Sequence, residues 1–307
     1  MVYQLWVTSA VDTLAKTEFV PIRSRLLLRK AAYPFLLIAL VATVWSTLAF
    51  GWDLSTASMP FLIGTIAYLA ILERLIPHNP DWHPSRREWG RYGLYYLLTT
   101  IGSVIAELAV LAGVQRLSPD VPRFGLAVEI PLAVLLGSLA SYLIHRWGHT
   151  NKYLWRLHGV HHAPDKVNVA NNGVNHVLDI MISQGIVQLA LALAGFSAEA
   201  VFAVGLFVVA QGFFVHANIE VSTGWVGYIL ANPEQHRLHH STELSEAGHY
   251  GSDLSIWDTL FGSFTWYPGR RPDRVGLHDP ASFPPTDAVV ASMLHPFRQR
   301  DKRPTSS

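Results

Sequence analysis

Two things are scarce in this sequence of 307 residues: it has no cysteine, and only 15% of its residues are charged. Without cysteine the chain has no disulfides, no thiolate ligands for zinc or iron–sulfur clusters and no thiol nucleophile. A metal site would therefore depend on nitrogen and oxygen ligands. The charged fraction is well below the ~25% of ordinary soluble domains. The net charge of +1 gives no indication of a nucleic-acid partner.

Half of the residues are hydrophobic, and they are concentrated in blocks long enough to cross a membrane. A bilayer needs about 20 mostly apolar residues per helix. Four such blocks cover residues 31–50, 59–76, 94–114 and 126–144. A fifth apolar stretch, 178–215, is interrupted near 195–197, which indicates a hairpin of two spans or half-spans. We therefore expect an all-α integral membrane bundle of four spans plus a membrane hairpin, rather than a soluble protein with a large buried core.

Lys and Arg are distributed unequally between the two sides of these blocks. On one side lie 21 of the 23 basic residues, and the other side has Arg116 and Arg123. Because short loops rich in Lys and Arg stay in the cytoplasm, we expect both termini on the cytoplasmic side. The predicted organisation is a cytosolic segment over 1–30, transmembrane helices over 31–144, a histidine-rich region with a helical cap over 145–268 that includes the hairpin 178–215, and a cytosolic tail over 269–307.

Three clusters of histidine stand out among the 15 histidines, all on the predicted cytoplasmic side. The clusters are His145 and His149, then His158, His161 and His162, then His236, His239 and His240. Residues three or four apart share a helix face, whereas adjacent residues diverge by about 100°, so each adjacent pair can direct one imidazole to each of two metals. Eight imidazoles exceed the three or four protein ligands usual for one zinc ion. A dinuclear centre is therefore predicted, and the ligand type leaves Fe, Zn, Cu and Ni open.

Local signals predict that the second and third clusters lie on short helices just outside the bilayer. Trp155-Arg156-Leu157 is typical of a helix start. Before the third cluster, Asn232 can cap a helix, while Pro233 and Glu234 suit its first turn. The glutamate of a zinc-protease HExxH motif is absent, since Arg146 and Arg237 follow the leading histidines. Metal-dependent proteolysis is therefore disfavoured.

The three histidine clusters follow one another in the order HxxxH, HxxHH and HxxHH. They are joined by three further segments: His216-Ala-Asn-Ile, Pro233-Glu-Gln before the third cluster, and Tyr250-Gly-Ser-Asp-Leu-Ser-Ile-Trp-Asp-Thr-Leu-Phe-Gly262. This combination resembles the fatty acid hydroxylase and sterol desaturase superfamily of membrane di-iron enzymes. The resemblance runs from about residue 72 to 277. It implies an oxidoreductase that uses O2 and external electrons to hydroxylate or desaturate a C–H bond of a lipid or other hydrophobic substrate. It also implies two iron ions, for which zinc can substitute, and a ninth ligand at His216. His249 stands where many bacterial relatives have Asn before Tyr-Gly.

Several other polar side chains could bind the metals or orient their ligands. A metal-bound imidazole usually donates its second N–H to a carboxylate or carbonyl. The candidates for an additional ligand or for such a contact are His176, His249, Glu220, Asp179, Glu234 and Asp258, with Asp253 as a further candidate for the contact. Glu107, an acid within a span, is expected to contact substrate or pair with another helix. We assign no role to His78, His83, His278 and His295, and no catalytic residue beyond the metal centre.

The sequence shows no haem domain, no Gly-rich flavin or nucleotide loop and no iron–sulfur ligands, so electrons are expected from a separate reductase and electron carrier. This partner would dock on a basic face that includes Arg146, Arg237, Arg270 and Arg271, unless these arginines hold lipid headgroups. The substrate stays open among sterol, fatty acyl, carotenoid and specialised metabolite. The alternative function is a non-catalytic or transport-type membrane metal-binding protein, but a transporter would need ionisable ligands inside the spans.

Overall fold

The structure, a computed structural model, describes residues 21–114 and 124–298. Residues 1–20 of the predicted N-terminal segment, Arg116, Arg123 and the tail residues 299–307 lie outside the described residues. The described part is helical, with isolated β-bridges and no β-strand. Its α-helices are α1 Ile22–Phe50, α2 Leu54–Leu75, α3 Arg86–Val114, α4 Leu126–Thr150, α5 Lys152–His158, α6 Val177–Ala194, α7 Ala198–His216, α8 Pro233–His239, α9 Ile256–Leu260 and α10 Val289–Leu294.

Six of these helices, α1 to α4 with α6 and α7, are long and apolar enough to cross a membrane. The predicted all-α membrane bundle is therefore confirmed, with α6 and α7 as the two arms of the hairpin. Helical hydrogen bonding extends beyond the apolar blocks, because α1 begins at Ile22 and α3 already at Arg86. Each of these two helices thus brings basic residues out of the apolar region in its first turns.

The turns at the far end of the bundle follow from glycine and capping residues. Gly51 ends α1 with a φ of 64°, a left-handed conformation that glycine adopts without a steric penalty. Asp53 then caps α2 by accepting the N–H of Thr56 at 2.7 Å. Gly195 ends α6 in the same way with a φ of 71°, and Ser197 caps α7. The predicted break in the fifth apolar stretch is therefore a tight turn between two complete helices.

Helix α7 is the central helix of the bundle and packs against α1, α2 and α4, while α6 packs against α3 and α4. Small residues allow these close approaches. A Cβ at Gly102 of α3 would lie 2.8 Å from the carbonyl oxygen of Val177, and one at Gly137 of α4 would lie 3.1 Å from Val204 of α7. Lipid chains are as apolar as the helix surfaces, so the hydrophobic effect does not drive these helices together. Close packing at small residues holds membrane bundles together instead.

Polar contacts connect the bundle to a cap at one of its ends. The cap consists of α5, α8, α9, α10 and the loops between them. Gln211 in α7 accepts the Tyr33 hydroxyl at 2.8 Å and donates to the Asp253 carbonyl of the cap at 2.8 Å. Helices α4 and α7 end, and α6 begins, at this same end. The cap therefore rests on the helix ends from which the histidine clusters arise.

Candidate metal centre

Nine histidine side chains converge at the junction of the cap and the bundle, in two adjacent groups. The first group is His145, His149, His158, His162 and His239, and the second is His161, His216, His236 and His240. Within each group the nitrogen atoms that could bind a metal all lie within 4.8 Å of one another. The groups adjoin, since the rings of His162 and His240 stack with centroids 4.2 Å apart. All nine histidines predicted as ligands lie here; metal binding by them is part of the proposal below.

The helices account for the division into two groups. Side chains four residues apart on a helix lie on the same face, and each such pair stays within one group. His145 and His149 in the last turns of α4 belong to the first group, and His236 and His240 around α8 belong to the second. His239, adjacent to His240, points to the other group. The adjacent histidines thus separate as the helical periodicity predicts.

The second cluster differs from the prediction, because only His158 lies on a helix. Helix α5 ends there, and the chain continues in short turns in which His161 N–H bonds the His158 carbonyl at 2.8 Å. Gly159 favours this end of the helix, and a Cβ at that position would lie 2.2 Å from the ring of Phe283. His161 and His162 are therefore held by turns, and they still point to different groups.

Most of the site histidines are anchored through Nδ1 to an oxygen atom. The contacts are His145 to the Tyr250 carbonyl at 2.6 Å, His158 to Asp179 at 2.9 Å, His161 to the Val174 carbonyl at 3.2 Å, His216 to the Asn168 carbonyl at 3.0 Å and His239 to the Gly248 carbonyl at 2.8 Å. Because these oxygens only accept, Nδ1 carries the proton in each ring. The Nε2 lone pairs are then directed to the middle of each group, which is the arrangement of metal-bound imidazoles.

The Nε2 atoms fit a bound cation. Those of His149, His162, His216 and His239 are buried without any hydrogen-bond partner among the described residues. In the first group, Nε2 of His145 and Nε2 of His158 are 3.1 Å apart although both rings donate through Nδ1. Two facing lone pairs repel unless a proton or a metal ion lies between them. The donor set is all imidazole, which suits iron, zinc, copper and nickel.

Burial favours the uncharged form of five of these rings. These five rings lie outside the spans and have a pKa well below the usual value of histidine. The main cause is burial, and the second is the presence of other imidazoles nearby. The five rings are those of His161, His162, His236, His239 and His240. A neutral imidazole has the lone pair that a metal requires, so no proton has to be displaced at neutral pH. The cluster is therefore prepared for metal in its folded state.

None of the six additional candidate ligands belongs to either group. His176 caps α6 through Nδ1, and its Nε2 bonds the Met293 carbonyl at 2.9 Å. Nε2 of His249 accepts the Thr265 N–H, and its buried Nδ1 has no hydrogen-bond partner in the described part of the chain. Glu220 forms ion pairs with Arg29 and Arg271. Glu220 does not share a helix face with His216, because α7 ends at His216.

The remaining carboxylates hold the loops around the site. Asp179 in the first turn of α6 is the one that contacts a site histidine directly. Asp258 accepts the Tyr250 and Gly251 N–H groups at 2.8 and 2.9 Å and so fixes the loop whose carbonyl anchors His145. Glu234 accepts the indole N–H of Trp266 at 2.9 Å. Asp253 accepts the Ser138 hydroxyl at 2.6 Å.

Burial raises the pKa of two of these acids, Asp253 and Asp258.

Glu107 lies apart from these acids. Glu107 is exposed on the surface of α3 and forms no ion pair with a described residue. It also does not line the cavity beside the histidines, and its expected contact with substrate stays a prediction.

One supporting residue was not predicted as part of the site. Glu73, near the end of α2, is 2% exposed, and its Oε1 accepts the N–H groups of Val169 at 2.7 Å and Asn218 at 2.8 Å. Val169 follows Asn168, whose carbonyl anchors His216. Glu73 therefore holds both chain segments that fix His216. An acid at the end of an apolar block was the available signal.

The arginines expected to dock an electron carrier are engaged within the protein. Arg237 is 2% exposed, and burial lowers its pKa to about 10. It is therefore not available for docking, because α8 directs it into the protein. Arg146 donates to the Tyr142 hydroxyl and the Phe261 carbonyl, while Arg270 and Arg271 pair with glutamates.

A cavity of about 310 Å³ extends from the histidines into the bundle. His145, His158, His161 and His236 form its upper end, so both groups border it. Its other walls are α3, α4, α6 and α7. A molecule held between the spans could thus reach the histidine clusters without leaving the bundle.

Comparison with known proteins gives matches over the same region. Residues 130–263 match the fatty acid hydroxylase family. Ornithine lipid hydroxylase OlsE of Rhizobium tropici is 27% identical over 256 residues, which are 78% of this chain and 76% of that protein. No solved structure matches the chain significantly.

Alkylglycerol monooxygenases match over a shorter region. The Homo sapiens protein is 33% identical over 125 residues, which are 40% of this chain and 27% of that protein. The Danio rerio protein is 28% identical over 168 residues, covering 54% of this chain and 33% of that protein. The match therefore spans a third or less of these two relatives.

Proposed function

The chain belongs to the fatty acid hydroxylase superfamily, and from that premise we propose that it is a membrane di-iron monooxygenase that hydroxylates a C–H bond of a lipid. Its relatives are lipid hydroxylases and alkylglycerol monooxygenases, which supports an oxidoreductase acting on lipids. The single observation that carries the proposal is the pair of adjacent histidine groups at the end of a cavity within the spans.

In this proposal each histidine group binds one metal ion through Nε2. Iron bound there would supply the activation of O2 and the oxidation of an unactivated C–H bond, which no side chain can perform. Zinc can occupy the same ligands. The chain's own contribution is the geometry: carbonyls of the cap and Asp179 hold the imidazoles through Nδ1, and the burial of the rings keeps water from the ligand atoms.

The spans contribute the approach of the substrate. The cavity walls come from four membrane helices, so a lipid can reach the site from the bilayer. Access from the membrane explains why the clusters follow directly from the ends of α4 and α7 rather than from a separate soluble domain. The carbon that reacts is selected by how far the lipid extends along this cavity.

The proposal also includes the orientation and the source of electrons. The excess of Lys and Arg on one side supports a cytoplasmic location of the cap. Reductases that use NAD(P)H are found on that side, and the sequence has no recognisable cofactor loop of its own. We therefore include a separate reductase and electron carrier as partners. Their docking surface excludes Arg237, which is buried.

The test uses the purified full chain in liposomes, loaded with ferrous iron and supplied with a reductase, a small electron carrier, NADPH and a total lipid extract. Mass spectrometry should detect a lipid that gains one oxygen atom, and isotope-labelled O2 should supply that atom. The matched control is His216→Ala, which removes one imidazole of the second group. Label that enters from water instead of O2, or an equal yield from the control, would contradict the proposed function.

A further inference from the structure

The cavity beside the histidines has polar groups on its walls at a depth where membrane helices are usually apolar. Ser103 of α3, Ser141 of α4 and Gln184 of α6 line it. Gln184 is seven residues into α6, which places it about 10 Å along a helix that begins at the level of the histidines. Ser141 precedes His145 by four residues, or about 6 Å along α4. Ser141 and Gln184 therefore lie roughly one to two turns below the histidines, and the three side chains together are named here the polar strip.

The side chains of the polar strip form no hydrogen bond within the described part of the chain, whereas most other hydroxyls nearby do. Thr99 and Thr100 donate to the Tyr96 carbonyl, and Ser183 donates to the Asp179 carbonyl. An unsatisfied amide or hydroxyl at membrane depth is unfavourable, because lipid chains offer no hydrogen bonds. A bound molecule with its own donor or acceptor would satisfy the strip.

The charges around the cavity restrict which group this is. No Lys or Arg of the described residues lines it, and its two acids, Asp179 and Asp253, already accept hydrogen bonds. A phosphate or a carboxylate beside the polar strip would have no positive side chain from the described segments as a partner, and burying an unpaired charge is costly. An uncharged amide, ester or hydroxyl matches the donors and acceptors that the strip offers.

A second feature lies on the other side of α4 and offers space for the apolar part of the bound molecule. An apolar groove of about 570 Å³ runs between α4 and α6 and faces the surrounding membrane. Its walls include Leu139, Leu143 and Ile186. Ile144, the neighbour of His145, lines both this groove and the cavity, and is 8% exposed. Ile144 is thus a wall that the groove and the cavity share, one aliphatic side chain thick.

We propose that the substrate is a lipid that lies across Ile144, with its acyl or alkyl chain in the groove and an uncharged hydrogen-bonding group on the polar strip. This proposal rests on the proposed function and names its substrate class. The cavity alone is at the small end of ligand pockets, which measure about 300–1,000 Å³, so it holds part of a lipid rather than all of it. The position of the carbon that reacts is then set by its distance from the polar group, and not by its distance from the far end of the chain.

The experiment measures binding without turnover. Three photoreactive probes carry the same alkyl chain with a diazirine at its end: a secondary amide, the plain alkane and the free fatty acid. Each is added to the full chain in liposomes of neutral phospholipid, and the labelled peptides are identified by mass spectrometry. The amide probe should bind most tightly, and its chain end should label the α4–α6 groove.

The variants separate the polar strip from its surroundings. Gln184→Leu should weaken the amide probe about tenfold, which corresponds to about 1.4 kcal/mol and to the loss of one hydrogen bond, with the alkane probe unchanged. Gln188→Leu is the matched control, since Gln188 lies one turn further along α6 and does not line the cavity. Its side chain also has no hydrogen-bond partner among residues 21–114 and 124–298. Ser141→Ala, a change of one atom, should weaken the amide probe about threefold even if Gln184→Leu fails to fold.

Two outcomes overturn the inference: equal binding of the amide and alkane probes, or equal effects of Gln184→Leu and Gln188→Leu. Tightest binding of the fatty acid would also overturn it, because that result requires a charged group in the cavity. Labelling of the separate groove between α1 and α2, near Phe35 and Thr43, would contradict the assignment of the chain. A clear amide preference without any oxygenated product contradicts the proposed function alone, and product formation without that preference contradicts this inference alone.

Discussion

Replacing Glu73 with alanine is expected to release metal from the second histidine group while the helices stay folded. The carboxylate accepts two backbone N–H groups, those of Val169 and Asn218. The first belongs to the segment whose Asn168 carbonyl anchors His216, and the second lies two residues after His216. Without Glu73 both segments lose their common anchor, and the imidazole of His216 loses its orientation.

The magnitude follows from these two contacts. A buried N–H left without an acceptor costs about 1–3 kcal/mol, so Glu73→Ala should destabilise the region by about 2–6 kcal/mol. Loss of such a supporting contact commonly lowers metal affinity by about 10–100-fold. Glu73→Gln keeps an oxygen acceptor at the same place and should retain most of the affinity.

The assay is competition with a chelator, read as metal per chain, together with the melting temperature of the apo protein. Glu129→Ala is the matched control, because Glu129 is 1% exposed and accepts the Ser197 N–H at 2.6 Å at the opposite end of the bundle. It should lower the melting temperature and leave the metal affinity unchanged. Wild-type metal affinity in Glu73→Ala would refute the reasoning, and an equal loss in Glu73→Gln would show that the charge matters rather than the accepted hydrogen bonds.

Three further predictions test the site, its orientation and its electron supply. The loaded wild type should hold two metal ions per chain, and His216→Ala should hold close to one. His176→Ala should still hold two, because His176 lies outside both groups. Metal analysis measures these contents, and a loss of metal in His176→Ala would contradict the ligand assignment. Since the chain has no cysteine, single cysteines at the exposed positions Ser55 and Ser245 can be labelled with an impermeant thiol reagent. They should react from opposite sides of the membrane, and labelling from one side would overturn the proposed orientation. With O2 and NADPH alone the purified protein should form no product, and adding a reductase with a small carrier should restore turnover; oxygen consumption coupled to product without any partner would contradict the external electron source.

Much of the fold was predictable because membrane helices are encoded in long stretches of sequence. The length of the apolar blocks predicted the spans, and Gly195 with Ser197 predicted the turn of the hairpin. The order of the histidine clusters predicted a resemblance to the family that residues 130–263 match. Spacing on a helix also predicted that His239 and His240 point apart. Each of these features depends on residues close together in sequence.

The contacts that orient the site were not predictable, because they join distant segments through backbone atoms. The carbonyls of Val174 and Gly248 anchor His161 and His239, and a carbonyl has no signature in the sequence. The turn that holds His161 and His162 depends on Phe283, more than 100 residues away, which packs against Gly159. Glu73 was visible as an acid but its partners were not.

His249 illustrates how a backbone constraint can look like a functional difference. The resemblance led us to expect Asn at this position. The structure gives His249 a φ of 58°, within the left-handed region. Asn, Asp and His enter that region more readily than other non-glycine residues, so the position selects for conformation. Nε2 of the His249 ring accepts the backbone N–H of Thr265 at 2.9 Å. This contact keeps the imidazole away from the two histidine groups.

Helix α4 connects helix packing, the cavity and the first histidine group through one repeated spacing. Gly137, Ser141, His145 and His149 follow one another at intervals of four residues. Four residues advance about 400° around a helix, so each side chain lies about 40° beyond the previous one. The same slowly turning face therefore packs on α7 at Gly137, borders the cavity at Ser141 and contributes to the first histidine group at its end. A single inserted residue would rotate all later positions by about 100°, so the register of this one helix fixes the polar strip and the histidines relative to each other.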